Sequence, residues 1–147
     1  MFNQLEICVG SWQSALAAQF GGADRIELCD NLAEGGTTPS FGMLVQCKKL
    51  LKIPFFPIIR PRGGDFTFSK DEFEIMKEDV LCCREIGCEG IVIGILRKDG
   101  SIDADRCSDL IALAGSMQIN FHRAFDRCSD LKRGLEDIIQ LGCHRVL

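Results

Sequence analysis

The stretch Pro54–Phe66, PFFPIIRPRGGDF, places two arginines and an aspartate directly behind the most apolar run of the chain. Arg60 and Arg62 are guanidinium forks suited to bidentate capture of a carboxylate or phosphate. Gly63 and Gly64 let backbone N–H groups approach such an anion closely, and Asp65 adds a carboxylate. The competing reading is that Arg60 pairs internally with Glu6 or Glu27. A second chemistry-bearing stretch, Asn120–Cys128, reads NFHRAFDRC. His122 there is a candidate general base, metal ligand or neutral hydrogen-bond partner, with Asp126 placed to orient it or to pair with Arg123. A third, Asn31–Ser40, offers Glu34 and a Gly35-Gly36 pair, or simply a turn into a helix capped near Ser40.

These residues need a scaffold, and the pattern supplies one. Strand-like runs fall at Leu5–Val9, Arg25–Cys29, Ile53–Arg60, Gly90–Ile95, Gln118–His122 and His144–Leu147. Helical patterns lie between them at Ser11–Phe20, Phe41–Leu51, Ser69–Ile86, Asp103–Ala114 and Ser129–Leu141. Ser69-Lys70-Asp71-Glu72 is a capping box. A short motif recurs around Gly22, Gly87 and Gly142, each time where a helix stops and a strand begins, as suits a left-handed helix end. Five βα units and a sixth strand imply a parallel sheet with right-handed crossovers. The sequence therefore predicts an α/β fold, a single domain over residues 1–147.

Side-chain parity decides between an open sheet and a barrel. Ile26 and Leu28 share one face of the second strand; Arg25, Glu27 and Cys29 share the other. Glu6 and Cys8 alternate with Ile7 in the same way, and Asn120 and His122 with Ile119 and Phe121. Strands covered by helices on both faces would be apolar on both. One polar face points instead to the interior of a barrel, whose site lies at the C-terminal strand ends. The predicted arrangement is one curved parallel sheet with helices outside and Glu6, Arg25, Glu27, Arg60 and His122 inside. At that mouth Glu6, Arg25, Glu27, Arg60, Arg62, Asp65 and His122 are candidate ligands for a small anion. His122, Glu27 and Asp126 are the candidates for proton transfer in an enzyme acting on a phosphate- or carboxylate-bearing substrate.

Composition excludes several classes. A net charge of −4 without a run of like charges argues against nucleic acid and anionic membrane surfaces. No apolar stretch approaches the ~18 residues of a membrane span, and MFNQLEICVG lacks the pattern of an export signal. Nine cysteines, an odd number, read as reduced thiols of a cytoplasmic protein, most of them small core residues.

LEICVGSWQSALAAQFGGADRIELC, EGGTTPSFG, PIIRPRGGDFTFS and FHRAFDRC, in this order, resemble the CutC family of copper homeostasis proteins. The resemblance spans essentially the whole chain. It implies a TIM-like (β/α)8 barrel, a cytoplasmic setting, Cu(I) as cofactor or cargo, and homo-oligomers. Barrels of this kind run to about 250 residues, so it also implies that these 147 residues are an incomplete barrel ending in its sixth strand. Cu(I) is soft and favours thiolates. Cys8 and Cys29 share the polar parity on adjacent strands about 4.8 Å apart, which makes them the candidate metal ligands.

Overall fold

A computed structural model describes residues 4–147; the stretch read above for an export signal begins with three residues outside this range. Five βα units and a sixth strand follow one another as the pattern predicts. The strands are β1 (Glu6–Val9), β2 (Arg25–Leu28), β3 (Phe55–Pro57), β4 (Gly90–Ile93), β5 (Gln118–Phe121) and β6 (Arg145–Val146). The helices are α1 (Trp12–Phe20), α2 (Phe41–Leu50), α3 (Lys70–Ile86), α4 (Ala104–Ala114) and α5 (Leu131–Gln140). Two short 3-10 turns, Leu32–Glu34 and Arg123–Arg127, sit in the loops after β2 and β5.

Helix starts follow the predicted caps. The Ser69 hydroxyl accepts from the Glu72 N–H while the Glu72 carboxylate accepts from the Ser69 N–H, closing the box. Asp103 and Asp130 cap α4 and α5, so α5 begins two residues later than its pattern suggests. The recurring glycines do what the motif requires: Gly22, Gly87 and Gly142 have φ of 92°, 80° and 75°, values that favour glycine.

All strand pairs are parallel and neighbours in sequence are neighbours in space, but the single continuous sheet predicted is interrupted. Strands β1-β2-β3 form one sheet and β4-β5-β6 another. They meet at a seam where Ile58 bridges Val92 and the Ile59 N–H reaches the Val92 carbonyl at 2.8 Å. The third strand is also shorter than Ile53–Arg60, with its regular ladder confined to Phe55–Pro57. Pro54 and Pro57 have no N–H to give. Beyond Pro57 the chain alternates partners, Ile58 donating to Leu28 and Ile59 to Val92.

The two faces separate as parity predicts. Ile26, Leu28, Phe55, Ile91, Ile93, Ile119 and Phe121 join helix residues such as Leu44, Met76, Val80 and Leu110 in the main core. The opposite face carries a small apolar cluster of Cys29, Phe56, Ile58 and Val92 with no helical member. Around that plug stand the ionisable groups. The curvature brings the chain's first and last strands together: the Arg145 guanidinium donates to the Gln4 side chain at 2.9 Å.

Candidate metal and ligand site at the strand ends

Register builds the site. Pairing of β1 with β2 sets Glu6 opposite Arg25 and Cys8 opposite Glu27. Arg25 donates through Nε and Nη2 to the Glu6 carboxylate and lies 4.7 Å over the Phe56 ring. Both charges are thus neutralised beneath the mouth, at the predicted positions. One step toward the strand ends, the Cys8 and Cys29 sulfurs are 3.7 Å apart. Glu27 joins them: one ligand atom from each of the three residues lies within 4.8 Å of the others.

This cluster is electrically asymmetric. The hydrogen bond shared with the Cys29 thiol lowers the Cys8 pKa below the ordinary thiol value. The same bond, with burial, raises Cys29. Burial and then the Glu6 carboxylate push Glu27 above the usual carboxylate range. Cys8 is exposed and Cys29 buried, so one sulfur faces the opening and the other the interior. Cys29 sits diagonally from Cys8, two positions beyond its partner Glu27.

The cluster opens into a cavity of about 460 Å³, whose walls include Glu6, Cys8, Glu27, Cys29, Phe66 and His122. His122 is buried, and its Nδ1 accepts from the Ala124 N–H at 3.1 Å. Burial, with the Arg60 charge second, lowers its pKa to about 3. At neutral pH it is uncharged, and with Nδ1 accepting, the proton resides on Nε2. Nε2 has no hydrogen-bond partner. His122 is therefore placed as a neutral donor, one of the three roles its sequence position left open.

Other candidates are placed differently. Asp126 pairs with Arg123 at 2.8 Å near the surface and does not orient His122. Arg60 pairs with neither Glu6 nor Glu27. Its Nη1 donates to the carbonyls of Glu34 and Gly36 and its Nη2 to that of Gly64, each at 2.8 Å. Its fork is spent tying two loops together, so it offers no free bidentate face; only Nε lacks a partner. Arg62 is spent as well, on Glu72, Asp65 and the carbonyls of Gly63 and Thr67. Arg62 and Asp65 thus lash the β3–α3 loop to the start of α3 and lie outside the cavity with the thiols.

Two residues of the site went unremarked in the sequence. Phe66 sits 4.9 Å from the His122 ring and 4.7 Å from the Arg60 guanidinium, between them. An aromatic residue directly after Gly-Gly-Asp was its one signal. Gly94 gives the imidazole its space: a Cβ there would lie 2.4 Å from His122 Cε1. The glycine inside the apolar run Ile91–Leu96 was the trace of that contact.

Six consecutive parallel strands with helices on one face and a polar mouth define a protein of the (β/α)-barrel class. Solved structures agree. The chain superimposes on CutC from Streptococcus agalactiae with a TM-score of 0.93 and 34% identity, covering 99% of this chain and 71% of that one. A phosphoenolpyruvate phosphomutase from Streptomyces platensis, 12% identical, shares the fold with a TM-score of 0.68 over 99% of this chain and 59% of that one. Among curated proteins, a family protein CutC of Chromobacterium violaceum is 54% identical over 97% of this chain and 58% of its own. The human copper homeostasis protein cutC homolog is 49% identical over 97% of this chain and 52% of its own. The CutC family model matches residues 3–147. The chain belongs to the CutC family, and it spans a little over half the length of these curated relatives.

Proposed function

We propose that this protein serves copper homeostasis by holding Cu(I) between Cys8 and Cys29. The observation that carries the reading is the 3.7 Å approach of two free sulfurs at the mouth of the strands. Cu(I) is soft, and thiolate sulfur is the donor it prefers. With Zn–S bonds of about 2.3 Å as a guide to metal–thiolate lengths, the two sulfurs need to part by less than an ångström or so to share an ion. Relatives named for copper homeostasis, human and mouse among them, support the reading. Glu27 stands close enough to accompany the sulfurs, but a hard carboxylate adds little affinity for a soft ion.

Binding converts both sulfurs to thiolates, so the protons they carry are released and affinity rises with pH. The reduced state of all nine cysteines is compatible with this chemistry. Among the described residues no helix is long and apolar enough to cross a membrane.

Competition titration against a chromophoric Cu(I) chelator tests the proposal. The chain should take up one Cu(I), and Cys8→Ser with Cys29→Ser should abolish uptake at that affinity. Unchanged stoichiometry and affinity in the double variant would remove the site.

A further inference from the structure

The thiols line the cavity, and His122, which lines it too, has an unmet requirement of its own. His122 is 4% exposed, and its Nε2–H meets no acceptor. Arg60 is 3% exposed, and its Nε–H meets none either. Unpartnered buried donors are costly, at roughly 1–3 kcal/mol each. The two flank the same ring, Phe66. Arg60 lines a second cavity of about 200 Å³ that shares Gly35, Phe66 and Arg123 with the first. The Arg60 guanidinium donates only to carbonyls, so no carboxylate is bonded to it, and Glu34 and Asp65 act on its charge from a distance.

Both of these groups are donors, and one is cationic; the buried Asn120 amide, also unpartnered, adds a donor and an acceptor. They call for an anionic acceptor. Glu6 and Glu27 line the same cavity; they repel a second negative charge, and Glu27 can accept from a hydroxyl. Leu32, Ile58 and Phe66 add apolar lining. The combined space suits a compact molecule, since ligand cavities of about 300–1,000 Å³ are typical.

We propose that this cavity binds a small hydroxylated monocarboxylate, its carboxylate on His122 Nε2–H beside Arg60 and its hydroxyl toward Glu27. The site shares its cavity and Glu27 with the thiol pair, but none of its three contacts is a thiol, so it is tested on the metal-free chain. The neutral state of His122 fits: an imidazole with a pKa of about 3 remains a one-sided donor throughout the neutral range.

Glycerate is the probe, with propionate lacking the hydroxyls and 1,2-propanediol lacking the charge. With ¹⁵N-labelled histidine, the His122 Nε2–H signal should shift saturably with glycerate and not with propanediol. Glycerate should bind more tightly than propionate, and Glu27→Gln should reduce that preference. His122→Phe should weaken glycerate binding by about ten- to a hundredfold, as for loss of one hydrogen bond to a charged group. His122→Gln retains a side-chain N–H and should recover part of the loss, which separates the donor role from a packing defect. An unmoved His122 signal at saturating glycerate, equal binding of propanediol, or undiminished binding by His122→Phe would each overturn the proposal.

Discussion

At the residue scale the chain neutralises or pairs most of the charge it buries. Arg25 and Glu6 face each other across the β1–β2 ladder, with side chains 8% and 16% exposed. His122 is handled differently: it is kept uncharged by burial and by Arg60. The sign of its effect on stability follows. The unfolded chain takes up the proton near pH 6.5, whereas the folded chain resists it until about 3. Between those values the unfolded state binds more protons, so stability falls as pH is lowered through this window, by up to about 1.4 kcal/mol per pH unit. Denaturant unfolding from pH 7 to pH 4 should show this slope, and His122→Gln should flatten it. A wild-type slope that the substitution leaves intact would assign the acid sensitivity elsewhere.

At the element scale, the sequence carried the order of strands and helices, their caps and the inward parity, because each rests on a local period or a local hydrogen bond. Ser69 and Glu72, or Gly22, Gly87 and Gly142, are legible without knowing the fold. The seam between β3 and β4 was not, since Ile58 and Ile59 choose partners from different strands. The thiol pair was legible because Cys8 and Cys29 share a parity on neighbouring strands. The roles of Arg60 and Arg62 were not. Their partners are backbone carbonyls and Glu72, brought in by loops that have no period to read. Close packing at β4 gives a test. A Cβ on Gly90 would lie 2.5 Å from the Phe56 ring and 2.6 Å from the Gln118 carbonyl. Gly90→Ala should cost about 1–3 kcal/mol by overpacking. Gly42, inside α2 with nothing within 4 Å of its Cβ position, should tolerate alanine and gain roughly 0.5–1 kcal/mol. Thermal melts of the two variants moving in the same direction would refute this packing.

At the scale of the whole molecule, the arc of strands is held but not smoothly closed. Among the described residues β1 pairs only with β2 and β6 only with β5; the Arg145–Gln4 contact spans the remaining distance. On the outside, α5 presents Leu131, Leu135 and Ile139, which are 53%, 42% and 66% exposed, along one stripe. Apolar stripes of this kind favour association. Sedimentation should show the average mass rising with concentration, and Leu135→Lys with Ile139→Lys should suppress the rise. A monomer at all concentrations would show that the stripe is inert.

The mouth of this arc is where the residue and element scales meet, and the claim placed there is that two sulfurs from adjacent strands share one Cu(I). X-ray absorption at the copper edge, on the chain loaded with one equivalent of Cu(I) under reducing conditions, reads that claim directly. The account predicts a first shell dominated by two sulfur neighbours, replaced by light-atom scattering or lost altogether when Cys8 and Cys29 are both serine. A wild-type shell of nitrogen and oxygen, or a sulfur shell that survives the double substitution, would contradict it.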